Sequence, residues 1–200
     1  MVNHPTVAAA ALVTLLSDKP QLAAPRLLGA VIRHQEVALR IVEVEAYDGE
    51  DDPASHCFGG RTARNASMYA EPGVLYVYRS YGVHLCLNLV CHEPGSAGGI
   101  LLRAGEVIAG MDTVRRRRGP GHREVLLASG PGRLGQALGL TPETDGVNFL
   151  QDPHWDVSMP GEEVIGSSGP RIGISRAREE PWRFWVTGDP SVSGTRRHNS

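Results

Sequence analysis

The segment 37–47, VALRIVEVEAY, constrains the chain more than any other stretch. It reads as a long β-strand, and side chains along a strand point alternately to opposite faces. Glu43, Glu45 and Tyr47 therefore share one face, successive members lying roughly 6.6 Å apart. Val42, Val44 and Ala46 share the other and are expected to enter the core. Two carboxylates and a phenol on a strand otherwise built for burial are costly unless their face lines a polar cleft. The solvent side of an ordinary antiparallel sheet would carry the same pattern, and alternation alone leaves both readings open.

Residues 27–33 form a second strand, joined to 37–47 by a tight polar turn at 34–36, so the two make a hairpin. Upstream, residues 8–16 repeat apolar side chains at helical spacing, with Asn3 or Thr6 as caps and Pro20 beyond the end. This helix is too short to span a bilayer and lacks a charged leading segment. A short segment, 21–26, leads into the first strand. Residues 48–72 show no apolar period and are rich in Gly, Asp, Ser and Arg, which predicts a long loop with at most a short helix. Loops of that length inside a compact domain are usually functional. Strands follow at 74–80, 83–91 and 100–104, helices at 107–118 and 131–138, and closing strands at 171–175 and 183–187. With 24 Gly and 14 Pro the chain has many turns. A chain of 200 residues can bury roughly 70% of its unfolded surface. With no repeat, low-complexity tract or linker, one domain over 1–200 is expected.

Two further positions break local rules. Tyr81 sits at the tip of the turn Ser80-Tyr81-Gly82-Val83, read as a two-residue hairpin turn, where Asn, Asp or Gly is favoured. An aromatic ring at the end of a rigid ribbon can act as a wedge between base pairs, or can fold back on its own sheet. Asn88 interrupts the apolar strand 83–91 and shares a face with His84 and Cys86. A buried amide needs partners, either a backbone group or the edge of a ligand.

Charge is less decisive. The formal net charge is -2, which gives no global reason to expect a nucleic-acid partner. Arginines cluster locally at 115–118 and at 61, 64, 171, 176 and 178. Such density can hold phosphates or can be a solvated surface. Lys19 is the only lysine, so Schiff-base chemistry would have to use this one residue. Cys57, Cys86 and Cys91 form no C-x-x-C pair and are odd in number, which suggests neither a zinc site nor a disulfide framework and fits a reduced cytoplasmic setting. The eight histidines show no metal-ligand spacing.

Taken in order, these segments resemble the alkyladenine (3-methyladenine) DNA glycosylase family over roughly residues 22–190. Arg40-Ile41-Val42-Glu43-Val44-Glu45-Ala46-Tyr47 is similar to its catalytic strand. Asp52-Pro53-Ala54-Ser55-His56, then Gly60-Arg61-Thr62 and Arg64-Asn65, resemble its active-site loop. Pro72-Gly73, Leu75-Tyr76-Val77-Tyr78 and Tyr81-Gly82 resemble its DNA-wedge hairpin. Leu101-Leu102-Arg103-Ala104, Ser129-Gly130-Pro131, Gln136-Ala137-Leu138 and Arg171-Ile172-Gly173-Ile174 continue the likeness. Departures are Ala63, where many members have Pro, and the pair Cys57-Phe58. No basic extension like that of vertebrate members precedes the matched region, so binding is expected to be salt-sensitive.

The resemblance implies a mixed α/β (α+β) fold: a curved, largely antiparallel sheet flanked by helices, with a protruding β-hairpin. It implies a monofunctional enzyme that flips alkylated or deaminated purines from duplex DNA and hydrolyses the N-glycosidic bond, leaving an abasic site. By the same resemblance Glu45 is the general base, Arg103 is a second contact to the attacking water or to the adjacent phosphate, and the Ile172 carbonyl is a third. Tyr47, His56 and Tyr78 enclose the extruded base, Asn88 discourages a 2-amino purine, and Tyr81 fills the vacated stack. Arg61 and Arg64 are candidate DNA contacts. No cofactor, metal or membrane is implied; the partner is damaged double-stranded DNA and the protein a monomer. Rival readings are a nucleoside hydrolase on a related scaffold and a non-catalytic DNA-binding module, in which Glu45 would be dispensable.

Overall fold

The computed structural model describes residues 7–194. Eight strands form one sheet in which every pair is antiparallel: β1 (Val31–His34), β2 (Val37–Tyr47), β3 (Leu75–Ser80), β4 (His84–Val90), β5 (Gly99–Ala109), β6 (Trp155–Ser158), β7 (Gly166–Gly169) and β8 (Arg183–Val186). The main path runs β3-β4-β5-β2-β1-β6, with β8 joined to β2 and β7 to β8. β2 is the hub. One edge pairs along its length with β5, and the other is divided between β1, opposite its first half, and β8, opposite Glu43 to Glu45.

The helices are α1 (Val7–Leu16), α2 (Pro20–Ala23), α3 (Met111–Arg118) and α4 (Pro131–Leu138). α1 puts Leu12, Leu15 and Leu16 into the main core, and α4 adds Leu134, Ala137 and Leu138. Burying each of these leucines is worth roughly 1.5–3 kcal/mol. α4 packs closely on β4: a Cβ built on Gly135 would stand 2.1 Å from the Leu85 carbonyl oxygen. The caps expected at Asn3 and Thr6 lie outside the described residues.

Two bulges at the centre of the sheet set up the site. Ile41 pairs with Gly105 and Glu43 with Ala104, leaving Val42 extra on β2; Val44 then pairs with Leu102, leaving Arg103 extra on β5. Such insertions change which face the following residues occupy and re-aim side chains. Ahead of the bulge Val37, Leu39 and Ile41 enter the main core, and beyond it Val44 and Ala46 do. Val42, expected to join them, packs instead with Ala104 and Val192 in a separate small cluster.

Other boundaries differ from the sequence expectation for identifiable reasons. The first strand is Val31–His34 because residues 24–27 close a 3₁₀ turn. β5 continues to Ala109, since Val107 and Ala109 pair with Leu39 and Ala38, so the following helix starts at Met111. Residues 171–175 form no strand: the Ile172 N–H is spent on a side-chain carboxylate, not on a neighbouring strand. β6 and β7 were not expected. The loop 48–72 contains two 3₁₀ turns, Gly49–Asp51 and Ala63–Tyr69. Buried Asn65 orders it, accepting from the Thr62 N–H (2.6 Å) and hydroxyl (3.0 Å) and donating to the carbonyls of His56 (2.9 Å) and Gly60 (3.0 Å).

Candidate active site

Glu43 and Glu45 have no solvent exposure, so their face is not the open side of a sheet. At Glu45, Oε2 accepts from the Tyr47 hydroxyl (2.8 Å) and Arg103 Nη1 (3.1 Å), and Oε1 from the Ile172 N–H (2.6 Å). A carboxylate offers about four acceptor directions, so one remains. Burial first, then the adjacent Glu45 charge, pushes the Tyr47 phenol well above its ordinary range, which keeps it a proton donor.

The buried polar groups continue behind this carboxylate. Arg103 also donates from Nε to Glu43 Oε1 (3.1 Å) and from Nη2 to the Ser193 hydroxyl (3.3 Å). Glu43 is completed by Arg183 Nε (2.6 Å) and the Ser193 N–H (2.7 Å). Burial alone would lower the Arg103 pKa, but the two carboxylates outweigh it and the net shift is upward. Arg171 fastens the long loop to the strand: Nη1 donates to the Ala46 carbonyl (2.8 Å) and Asp52 Oδ2 (2.5 Å), and Nη2 to Asp52 Oδ1 (2.9 Å). Its guanidinium lies 4.8 Å from the Tyr47 ring centre and 5.0 Å from that of Trp182. Cation–π contacts of this kind offset part of the lost hydration.

Above these groups opens a cavity of about 750 Å³, lined by Tyr47, His56, Tyr78, Tyr81, Asn88, Arg103 and Ile172 among others. Its size lies in the range of small-molecule sites, roughly 300–1,000 Å³. Glu45 lies beneath its floor, bonded to three of the lining residues. The wall is aromatic. The His56 ring meets Tyr78 edge-on at 4.6 Å, and Tyr76 and Tyr78 stack at 5.8 Å. His56 Nδ1 hydrogen-bonds the Tyr76 hydroxyl (2.9 Å), whose pKa burial pushes up to about 12. Burial, then the Arg64 charge, lowers the His56 pKa, so its ring is neutral at pH 7. Asn88 is 3% exposed, lines the cavity and donates to the Tyr76 carbonyl (3.2 Å).

Tyr81 stands at the cavity rim, 91% exposed. The hairpin loop is one residue longer than expected: Ser80 pairs with His84, so Tyr81, Gly82 and Val83 all lie between the strands. The Val83 N–H closes the turn on the Ser80 carbonyl (3.1 Å), with Tyr81 at φ 48° and Gly82 at φ 71°. Glycine adopts this region without cost, whereas a tyrosine there is strained by roughly 1–3 kcal/mol. The ring does not fold back on its sheet.

Arg61 and Arg64 do not line the cavity; both are exposed on the long loop, Arg61 lying 5.7 Å from the Tyr69 ring. The arginine run is engaged within the protein. Arg115 pairs with Glu124, Arg116 bonds the Thr113 hydroxyl, Arg117 the Ala137 carbonyl, and Arg118 the Leu127 carbonyl and the Gln136 side chain. Lys19 is exposed and does not line the cavity. No group of three His, Cys, Asp or Glu among the described residues could hold a metal ion. No helix among them is long and apolar enough to cross a membrane. Asp52, Arg183 and Ser193 had been given no role from sequence, and Arg171, grouped there with arginines that could hold phosphates, is instead buried against Asp52. Asp52 and Arg171 each open a motif already noted, which was the available signal; Arg183 and Ser193 carried none.

Comparison with known proteins agrees with this geometry. Residues 14–190 match the family described as methylpurine-DNA glycosylase. A protein of Frankia casuarinae named "Putative 3-methyladenine DNA glycosylase" is 50% identical over 192 residues, 90% of each chain. Proteins of the same name from Nocardia farcinica (46% identical, 89% of this chain and 88% of that one) and Cutibacterium acnes (48%, 86% and 94%) are similar to comparable extents. A match spanning the catalytic strand, the loop, the hairpin and the C-terminal segment places this chain in the methylpurine-DNA glycosylase family, and it is an enzyme of the DNA glycosylase class, a hydrolase of N-glycosyl bonds.

Proposed function

We propose that the protein removes alkylated or deaminated purines, such as 3-methyladenine or hypoxanthine, from duplex DNA, and that Glu45 activates the water that displaces the base. The observation that carries this reading is a solvent-excluded carboxylate directly beneath an aromatic-walled cavity, with an exposed tyrosine at the cavity rim. An enzyme acting on a base must first take it out of the stack, and Tyr81 on its rigid ribbon is suited to fill the space left behind. The flipped purine lies between Tyr47, His56 and Tyr78, with Asn88 facing its edge. Arg61 and Arg64, on the loop bordering that wall, contact the DNA backbone.

Purine loss passes through a cation-like sugar, so an anion beneath C1′ both stabilises the charge and accepts the proton of water. Three contacts already surround Glu45. Water reaches it by taking the remaining acceptor direction or by displacing the Tyr47 hydroxyl or the Ile172 N–H as the nucleotide settles. Arg103 and the Ile172 carbonyl help to hold that water. A cationic alkylated purine leaves without further help, whereas a neutral one must be protonated. The enzyme is monofunctional, since the single lysine lies away from the cavity and offers no side-chain amine for a Schiff base.

Incubating the purified protein with duplexes carrying hypoxanthine or 3-methyladenine tests this. Free base should be released and the strand should stay intact until heated in alkali. Release from free nucleosides but not from duplexes, or strand nicking without heat or alkali, would contradict it.

A further inference from the structure

Glu43 takes no part in the chemistry above, yet it is as deeply buried as Glu45 and as fully bonded. Burying a second carboxylate costs several kcal/mol before its partners compensate. Its placement relative to Arg103 suggests what it does. A guanidinium facing a lone carboxylate tends to bind it through two parallel N–H bonds. Arg103 does not do so here. Glu43 occupies Nε and the Ser193 hydroxyl one N–H of Nη2, so only Nη1 reaches Glu45.

We propose that Glu43 is a positioning residue for the excision reaction: by holding the Nε edge of Arg103 it restricts Glu45 to a single guanidinium N–H and leaves one of its acceptor directions open. This rests on the reading of Glu45 as the base. Were Glu43 absent, Arg103 would swing its free edge onto Glu45, its whole charge would fall on that carboxylate, and the carboxylate would become a weaker base.

The surroundings allow the sign to be worked out. Glu45 faces Tyr47 on its own strand, Arg103 on β5, the Ile172 amide and Arg171 on the C-terminal segment, and Tyr78 on β3. Glu43 faces Arg103, Arg183 on β8 and the Ser193 amide. Glu43→Gln removes a negative charge that competes for Arg103, so the ionised form of Glu45 is favoured and must be protonated at lower pH. Arg183→Gln removes a positive charge that competes for Glu43, so Glu43 draws Arg103 more strongly and Glu45 protonates at higher pH.

The test is the pH dependence of single-turnover excision from a duplex carrying an already cationic alkylated purine, so that no substrate proton titrates. In Glu43→Gln the acidic limb should move down by on the order of one pH unit, with a plateau rate lower by up to about tenfold. In Arg183→Gln the limb should move up. A purely structural role would lower the melting temperature of both variants and leave both limbs in place. Limbs unmoved in folded variants, or moving the same way, overturn the proposal. If Glu43→Gln does not fold, Arg183→Gln decides alone: an upward shift supports the proposal and an unmoved limb overturns it. Glu45→Gln run in parallel separates the two levels, because wild-type excision in that variant would remove the reading of Glu45 itself.

Discussion

Replacing Arg171 with Met should destabilise the protein strongly although the residue touches no reacting atom. Arg171 is 5% exposed and Asp52 1%, and the two meet through two hydrogen bonds, with a third from Arg171 to the Ala46 carbonyl. Its Nε has no hydrogen-bond partner among the described residues, and the guanidinium is held between the rings of Tyr47 and Trp182. Methionine keeps much of the stem's packing but strands a buried carboxylate. Breaking a buried pair in this way costs roughly 3–5 kcal/mol. For a chain of this length each kcal/mol lowers Tm by about 2–4 °C, so the expected drop is roughly 6–20 °C. Thermal unfolding followed by circular dichroism measures it. Adding Asp52→Asn should recover part of the loss, because it removes the stranded charge and keeps an oxygen acceptor for the Asp48 and Ala54 N–H groups that Asp52 also binds. Excision should fall in the single variant as well, since Asp52 anchors the loop that carries His56. A Tm drop below about 2 °C, or a double variant less stable than wild type by the full sum of the two single-variant costs, would refute the reasoning.

Three further outcomes are expected. Tyr81→Ala should weaken binding to a lesion-containing duplex by roughly 5- to 150-fold, the range of one lost aromatic stack, and should affect a single-stranded lesion far less; equal losses on both would remove the wedge from the account. Gly135→Ala should lower Tm even though alanine is the better helix former by roughly 0.8–1 kcal/mol. Its methyl would meet the Leu85 carbonyl, an overpacking that costs roughly 1–3 kcal/mol, and a raised Tm would show that α4 is not so closely seated. His56 is held below its ordinary pKa by burial and then by the Arg64 charge, so the stability it contributes is complete above about pH 6.5 and is lost as the pH falls through its lower folded value. Urea midpoints of His56→Gln should therefore decline less steeply than wild type below about pH 6.5, and parallel declines would contradict this.

How much of this was legible in the sequence depended on periodicity. β2 and α4 carry apolar residues at strand and helix spacing between clear turn signals, and the expected ranges match the observed ones. The loop 48–72 was recognised from its lack of period, although not the Asn65 contacts that order it. β6 and β7 are four residues each, and β7 reads Gly-Ser-Ser-Gly, so neither shows an apolar alternation. The bulges were hidden for a different reason. An inserted residue changes the facing of everything beyond it, and nothing in Ile41-Val42-Glu43 marks which residue is extra. That is why Val42 was assigned to the main core and why the edge-on setting of Arg103 could not be foreseen. Glu43 and Glu45 were seen to share a face. That the face is sealed by Arg183, Ser193 and Ile172 depends on contacts more than 120 residues away in the chain.

The account stands most directly on one comparison: single-turnover base excision by Glu45→Gln and by wild type, with lesion-duplex affinity measured on the same preparations. Excision should slow by roughly 10² to 10⁴, the usual worth of general-base catalysis, while affinity stays within a few-fold. A variant that binds and excises at the wild-type rate would show that the water is activated elsewhere.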